Sequence, residues 1–265
     1  MPSEEDSTAN TTKIGRSLAV ACCGARHAAL WRAALAELCG AALLVLLSCL
    51  AGCGAGAGGA PGQRAVAAGL VVTVLVQSFD HISGAFFNPV VLLAAVLWGR
   101  VPALRALPIF GAQLLGGVLG GGALHLLQPP DTATCVTLPA DNLALYKAVA
   151  IEAVLGGCLA LANCGTWDAR TERWRDSWPV RIGLTVAGLS LVAGELTGAS
   201  MNPVRSFGPA LWSGVWTNHW IYWVGPLSGS LLSTSLYLAA WRPRPPPPPP
   251  APCARARSLD KLTSA

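Results

Sequence analysis

Residues 81–90 read HISGAFFNPV and residues 195–204 read ELTGASMNPV, so one pattern, Ser/Thr-Gly-Ala-x-x-Asn-Pro-Val, occurs twice in the chain. The repeat reaches further back, because Glu37 precedes Asn88 by 51 residues and Glu152 precedes Asn202 by 50. Self-similarity over this length means two copies of one structural unit. Working outward from the two Asn-Pro segments, apolar stretches near 33–54, 65–80, 106–127, 147–167, 180–196 and 219–240 are each about long enough to cross a bilayer. The stretches 82–99 and 198–213 are too short to cross and suit re-entrant half-helices. Each copy is then three spans plus one half-helix. An odd number of spans per copy inverts the second in the membrane, which brings the two Asn-Pro segments to the midplane from opposite faces.

Composition agrees with a membrane chain. Of the 265 residues 53% are hydrophobic and only 12% charged, and mean hydropathy is +0.51, where soluble domains carry about 25% charged residues. The fold class expected is an all-α membrane protein with six transmembrane helices and two half-helices in an inverted repeat. A polar tail covers 1–32, the channel-like domain 33–241 (repeats about 33–128 and 147–241), and a tail 242–265. The run Pro245–Pro250 must be extended; it reads as a stiff spacer or as a docking site for a proline-reading domain.

Of the 18 lysines and arginines, all but Arg64, Lys147 and Arg205 fall on one side if both termini are cytoplasmic. The formal charge of +5 is thus a topology signal and implies no nucleic-acid partner. An integral protein of the plasma membrane is expected. The chain start lacks the basic lead and apolar run of a signal peptide, so the first span is expected to direct insertion. The sequon at Asn10 falls on the cytoplasmic side and is expected to stay unmodified. Cys39, Cys49, Cys53, Cys158 and Cys164 lie in or at the ends of spans, where a thiol packs as a small apolar group. Cys135 is left alone in an outside loop, so no structural disulfide is expected.

In each short segment, Asn88 or Asn202 suits an N-cap and Pro89 or Pro203 the first helical position, where the missing N–H costs nothing. The positive end of each half-helix and the carboxamide NH₂ would then point at the pore centre. A passing water or hydroxyl turns its oxygen toward those donors, and the positive potential opposes cations and hydronium.

These boxes, with MNPVRSFGPAL (201–211) and HWIYWVGP (219–226), resemble the aquaporin or major intrinsic protein family from about Ala33 to Trp241. The resemblance implies a right-handed bundle and a homotetramer with one pore per subunit, together with exclusion of protons and ions by half-helix dipoles and a pore arginine, a device established for such pores. It implies that Glu37 and Glu152 hold the re-entrant loops through backbone amides and that Gln113 is a polar core residue of the third helix. It also implies a four-residue selectivity filter. Counting from the asparagines, these are Ala68, Ser190, Ala199 and Arg205.

Water-selective relatives resemble one another in a bulky aromatic at the first filter position and a histidine at the second; Ala68 and Ser190 are small instead. The filter therefore reads as wide, similar to insect entomoglyceroporins that pass glycerol and urea. Ser206, Ala210, Tyr222 and Trp223 look like the water-channel branch, so branch and filter disagree, and filter width decides passage. Phe86, at a place where relatives often have histidine, is a neighbouring side chain that could refill the space. Val90 and Val204 replace the usual alanine after Asn-Pro. Ala199 stands where some relatives carry a mercury-reactive cysteine, so no mercurial block is expected there.

The expected function is a passive channel for water and small uncharged solutes such as glycerol and urea, with protons and ions excluded, and no cofactor or metal. A strictly water-selective channel and a non-conducting structural protein remain open alternatives. An ion channel or coupled transporter needs charged rings or a path of acidic residues, yet only Glu37, Glu152 and Arg205 read as embedded. No Walker loop, metal-ligand spacing or nucleophile elbow supports an enzyme.

Overall fold

The computed structural model describes residues 28–52, 61–128 and 135–243. The Pro245–Pro250 run and the sequon at Asn10 lie outside the described residues. Eight α-helices follow in order: α1 (Ala28–Leu50), α2 (Pro61–Ser83), α3 (Pro89–Trp98), α4 (Ala103–Leu127), α5 (Leu145–Trp167), α6 (Trp178–Thr197), α7 (Pro203–Ser213) and α8 (Ile221–Ala240). A 3₁₀ segment (Ala169–Ser177) joins α5 to α6. Helices α3 and α7, 10 and 11 residues long, are the half-helices; the other six are the spans. By length and apolarity alone five helices qualify as spans among the described residues. In α8 the polar residues Ser228, Ser230, Ser233, Thr234 and Ser235 dilute a 20-residue helix that is otherwise Leu-rich.

The inverted repeat is visible in who packs on whom. Helix α5 lies along α8, α2 along α6, and each half-helix packs on the last helix of the other copy, α3 on α8 and α7 on α4. Small residues permit these approaches, as expected where lipid supplies no hydrophobic drive between helices. A Cβ at Gly156 would come within 2.5 Å of the Pro226 carbonyl oxygen, and one at Gly183 within 2.6 Å of the Gly69 carbonyl oxygen.

Large apolar side chains cover the outer surface of the spans, while several polar and charged ones are buried within a core that is otherwise apolar. Leu70, Val74, Leu184, Val192 and Leu232 are exposed, while Glu37, Gln113, Glu152, Asn88 and Asn202 are buried. A surface of this kind is stable only against hydrocarbon. At one rim Asp168 caps the 3₁₀ segment through Arg170 N (3.0 Å) and pairs with the Arg170 guanidinium at 2.7 Å, and Arg170 in turn donates to the Trp241 carbonyl at 2.8 Å. This ties the α5–α6 connection to the end of α8.

The expectation of no disulfide is wrong. Cys49 and Cys135 are bonded, with Cα atoms 5.6 Å apart. The reason is the end of α1: the helix stops at Leu50, four residues short of the boundary expected from apolarity, so Cys49 sits on its last turn, where the 135–140 segment reaches it. Cys39, Cys158 and Cys164 carry free thiols.

Candidate functional site

Each half-helix begins as its sequence dictates. Asn88 is an extended N-cap whose Oδ1 accepts from Val90 N at 2.9 Å, and Asn202 does the same toward Val204 N at 3.0 Å and Arg205 N at 3.3 Å. Pro89 and Pro203 occupy the first turn, where an N–H would have no partner anyway.

The chain leading into each cap takes an unusual path. Gly84 and Gly198 have φ of 93° and 80°, followed by Ala85 (48°), Phe87 (50°), Ala199 (43°) and Met201 (51°). Left-handed backbone at four residues that carry a Cβ costs on the order of 1–2 kcal/mol each, so something must hold it. Glu37 accepts from Phe86 N at 2.8 Å, Phe87 N at 2.7 Å, the Ser83 hydroxyl at 2.6 Å and Gln113 Nε2 at 2.7 Å. In the second copy Glu152 accepts from Ser200 N and Met201 N, both at 2.9 Å, and from the Thr197 hydroxyl at 2.7 Å. The Ser83 and Thr197 hydroxyls also accept from Ala85 N (3.0 Å) and Ala199 N (3.2 Å). A carboxylate taking this many donors has its burial offset. The copies differ in one support: Gln113 backs Glu37, whereas Tyr222 Oη donates to the Thr197 carbonyl at 2.8 Å. The Gln113 Oε1 is left without a protein partner.

The two loops meet. Asn88 Nδ2 donates to the Met201 carbonyl and Asn202 Nδ2 to the Phe87 carbonyl, each at 2.9 Å. Each carboxamide NH₂ has two hydrogens, and the reciprocal bond uses one. With both helix N-termini facing this point, the centre of the bundle is a focus of positive potential.

Toward one face lies a cavity of about 310 Å³, and all four counted positions, Ala68, Ser190, Ala199 and Arg205, line it. They come from α2, α6, the loop before Asn202 and the first turn of α7. Arg205 is held by the 135–140 segment: Nη1 donates to the Cys135 carbonyl at 3.0 Å and Nη2 to Cys135 Sγ at 3.1 Å. Phe86 is not among the lining residues; it packs in the apolar core.

Several residues that matter here were not singled out as site residues from sequence. Thr137 donates to the Ser206 hydroxyl at 2.6 Å, Ser206 lies 2.5 Å from the Ser200 hydroxyl, and Ser200 donates to the Asn202 carbonyl at 2.9 Å. This chain fastens the 135–140 segment to the base of α7. In sequence Ser206 reads only as a branch marker, and Thr137 and Cys135 lie in a loop without periodicity. The two unusual valines have a place: Val90 and Val204 are fully buried, the Val90 carbonyl accepts from Ser230 Oγ at 2.8 Å, and Val204 Cγ1 lies 2.5 Å from where a Cβ on Gly117 would be.

Comparison with known proteins agrees with this architecture. Residues 24–237 match the family model described as Major intrinsic protein. Aquaporin-4 of Bos taurus is 36% identical over 230 residues, covering 83% of this chain and 71% of that protein. The lens fiber major intrinsic protein of Homo sapiens is 38% identical over 219 residues, covering 80% and 82%, and aquaporin TIP4-2 of Zea mays 38% over 215 residues, covering 78% and 83%. The X-ray structure of the aquaglyceroporin from Plasmodium falciparum shares the fold, with a TM-score of 0.71 and 22% identity over 78% of this chain and 95% of that one.

Proposed function

Because the chain belongs to the major intrinsic protein family, and so is an integral membrane channel rather than an enzyme, we propose that it conducts water together with small uncharged solutes of the glycerol and urea class. The observation that carries the solute range is the lining of the 310 Å³ cavity, to which Ala68 and Ser190 contribute a methyl and a hydroxymethyl group together with Arg205. A polyol or amide finds donors on the guanidinium and a donor and acceptor on the Ser190 hydroxyl, with no aromatic ring among the described residues that line the cavity.

In this reading a permeant crosses in two stages. At the filter its hydroxyl or carbonyl oxygen faces Arg205, shedding bulk water against a charged donor fixed in place. At the centre its oxygen turns toward the free hydrogens of Asn88 and Asn202. The positive potential there and at Arg205 repels cations and hydronium. Glu37 and Glu152 support the loops and do not touch the permeant, since their oxygens are taken up by loop donors.

The likeness to insect entomoglyceroporins is supported by Ala68 and Ser190. For orientation, the side bearing Cys49, Cys135 and Arg205 is outward and the termini cytoplasmic: the distribution of basic residues supports this, as does a disulfide, which persists in an oxidising environment. A plasma-membrane homotetramer with one pore per subunit is the assembly the resemblance supports.

Stopped-flow light scattering on proteoliposomes holding the full chain, under water, glycerol and urea gradients, tests the reading. All three fluxes are expected above the lipid background. Water flux alone would make the channel strictly water-selective; no flux would make it a non-conducting member of the fold.

A further inference from the structure

The Cys49–Cys135 disulfide stands next to the guanidinium that the solute path uses, and nothing in the helical scaffold requires it there. Residues 135–140 form neither helix nor strand, so no backbone ladder fixes their position. Cys135, Val136, Thr137 and Leu138 nonetheless supply part of the wall of the cavity that Ala68 and Ser190 also line. Among the described residues this wall is held by the disulfide to the last turn of α1, the Thr137–Ser206 hydrogen bond at 2.6 Å, the Ala140 N to Leu196 carbonyl bond at 2.9 Å and the Arg205 bonds to Cys135. At Cys135 itself the covalent anchor is the disulfide. Cys49 is buried beside Val45 and Leu124, a firm footing on α1 and α4.

Both acceptors that Arg205 finds on this wall belong to one residue, the carbonyl oxygen and the sulfur of Cys135. A guanidinium presents its donors in a rigid fork, so the acceptors on one edge decide where the remaining donors point. Moving Cys135 would turn Arg205 and shift the wall together.

We propose that Cys49 and Cys135 are specificity-determining positioning residues: their covalent link sets the width of the filter and the aim of Arg205, and so the upper size of solute admitted. The proposal rests on the reading of Ala68, Ser190, Ala199 and Arg205 as the filter. Cleaving the link by a dithiol, which gives two electrons and two protons to make the two cysteine thiols and closes to its own cyclic disulfide, frees the wall to recede. Larger polyols then pass.

The test uses the purified full chain in proteoliposomes and measures erythritol, glycerol and water permeability. Cys49→Ala removes the link and leaves the Cys135 carbonyl in the chain. In this variant the erythritol-to-water ratio is expected to rise ~threefold or more, the factor that goes with weakening one ordinary hydrogen bond. Dithiothreitol, with cleavage confirmed by mass, should produce the same rise in the native protein after reconstitution and none in Cys49→Ala. This arm does not depend on the variant folding. An unchanged ratio in both arms overturns the proposal, as does a fall in all permeabilities by one common factor, which a merely structural link would give. Recovery of both residues as alkylatable thiols from unreduced protein overturns it too. Arg205→Ala separates the two readings: if it changes the ratio while Cys49→Ala does not, the filter stands and the positioning role fails, and if neither does, the filter reading falls first.

Discussion

Asn88 and Asn202 are cross-bonded at the centre of the bundle, each donating at 2.9 Å to the carbonyl that precedes the other asparagine. The bond couples the two loops mechanically. Neither carboxamide can turn without breaking a bond made by the opposite repeat, so the second hydrogen of each is fixed by both copies at once. In the proposed reading, preorganisation of this kind means that a passing oxygen meets donors already in place, with no reorganisation at the moment of transit.

Ser190→His is expected to cut glycerol and urea uptake to about a tenth while leaving water permeability within about twofold, since loss of a fit to a binding pocket on the order of 1–3 kcal/mol corresponds to that range. Swelling of vesicles under the three gradients reads both at once. Undiminished glycerol and urea uptake in the variant would remove Ser190 from the filter.

Glu152→Gln replaces two acceptor oxygens by one and sets an NH₂ against one of the two backbone amides, Ser200 or Met201, that now bond separate oxygens. Losing hydrogen bonds to a charged acceptor, each on the order of 1.5–3 kcal/mol, should release the left-handed turn before Asn202. Expected are a lower melting temperature in detergent and lower water permeability per channel. A variant melting with the native protein would mean that the loop is held by Thr197 and Tyr222 alone.

Gly117→Ala should destabilise the α4–α7 contact by about 1–3 kcal/mol, the usual range for overpacking, because its Cβ would meet Val204 Cγ1 at 2.5 Å. Val204→Ala in the same chain should recover part of the loss, while the Val204 carbonyl, 3.0 Å from the added carbon, keeps the rescue incomplete. Melting temperatures of the two single variants and the double variant form a cycle; strictly additive effects would mean that the two residues do not touch.

Asp168 lies outside the spans, and its carboxyl is held down to about 2 from 3.8, first by hydrogen bonds from the Arg170 side chain. A carboxylate depressed on folding contributes stability that is complete above its unfolded value and lost as pH falls toward its folded value. The difference in melting temperature between native protein and Asp168→Asn should therefore be constant from pH 7 to about 5 and shrink between about 4 and 2. A difference that persists at pH 2 would assign the effect to packing.

Much of this molecule is legible in its letters because a bilayer admits few solutions. Apolar stretches mark where the six spans run, although α8 falls short of the others because its serines and threonine dilute it, and the doubled Asn-Pro box gives the half-helices and the inversion, since a Pro at the first helical position and an Asn before it specify a helix start from local chemistry alone. The counted filter positions fall in one cavity because spacing along a helix converts directly to place. The resemblance proposes Gln113 and the two glutamates as supports, and in the fold the glutamates are buried against loop amides, with Gln113 bonded to Glu37.

What the letters left open are relations between segments that share no pattern. Cys49 reads as one more apolar thiol until the end of α1 is known, and its partner is 86 residues away. Val204 reads as an odd substitution until Gly117 is seen to make room for it, and Ser206 as a marker until Thr137 and Ser200 close around it. Periodicity and local propensity fix each element and its depth in the membrane, because those depend on neighbours in sequence. Which side chain meets which across the bundle depends on packing between elements, where a shift of a few residues at one helix end changes the partner, and only the folded chain decides that.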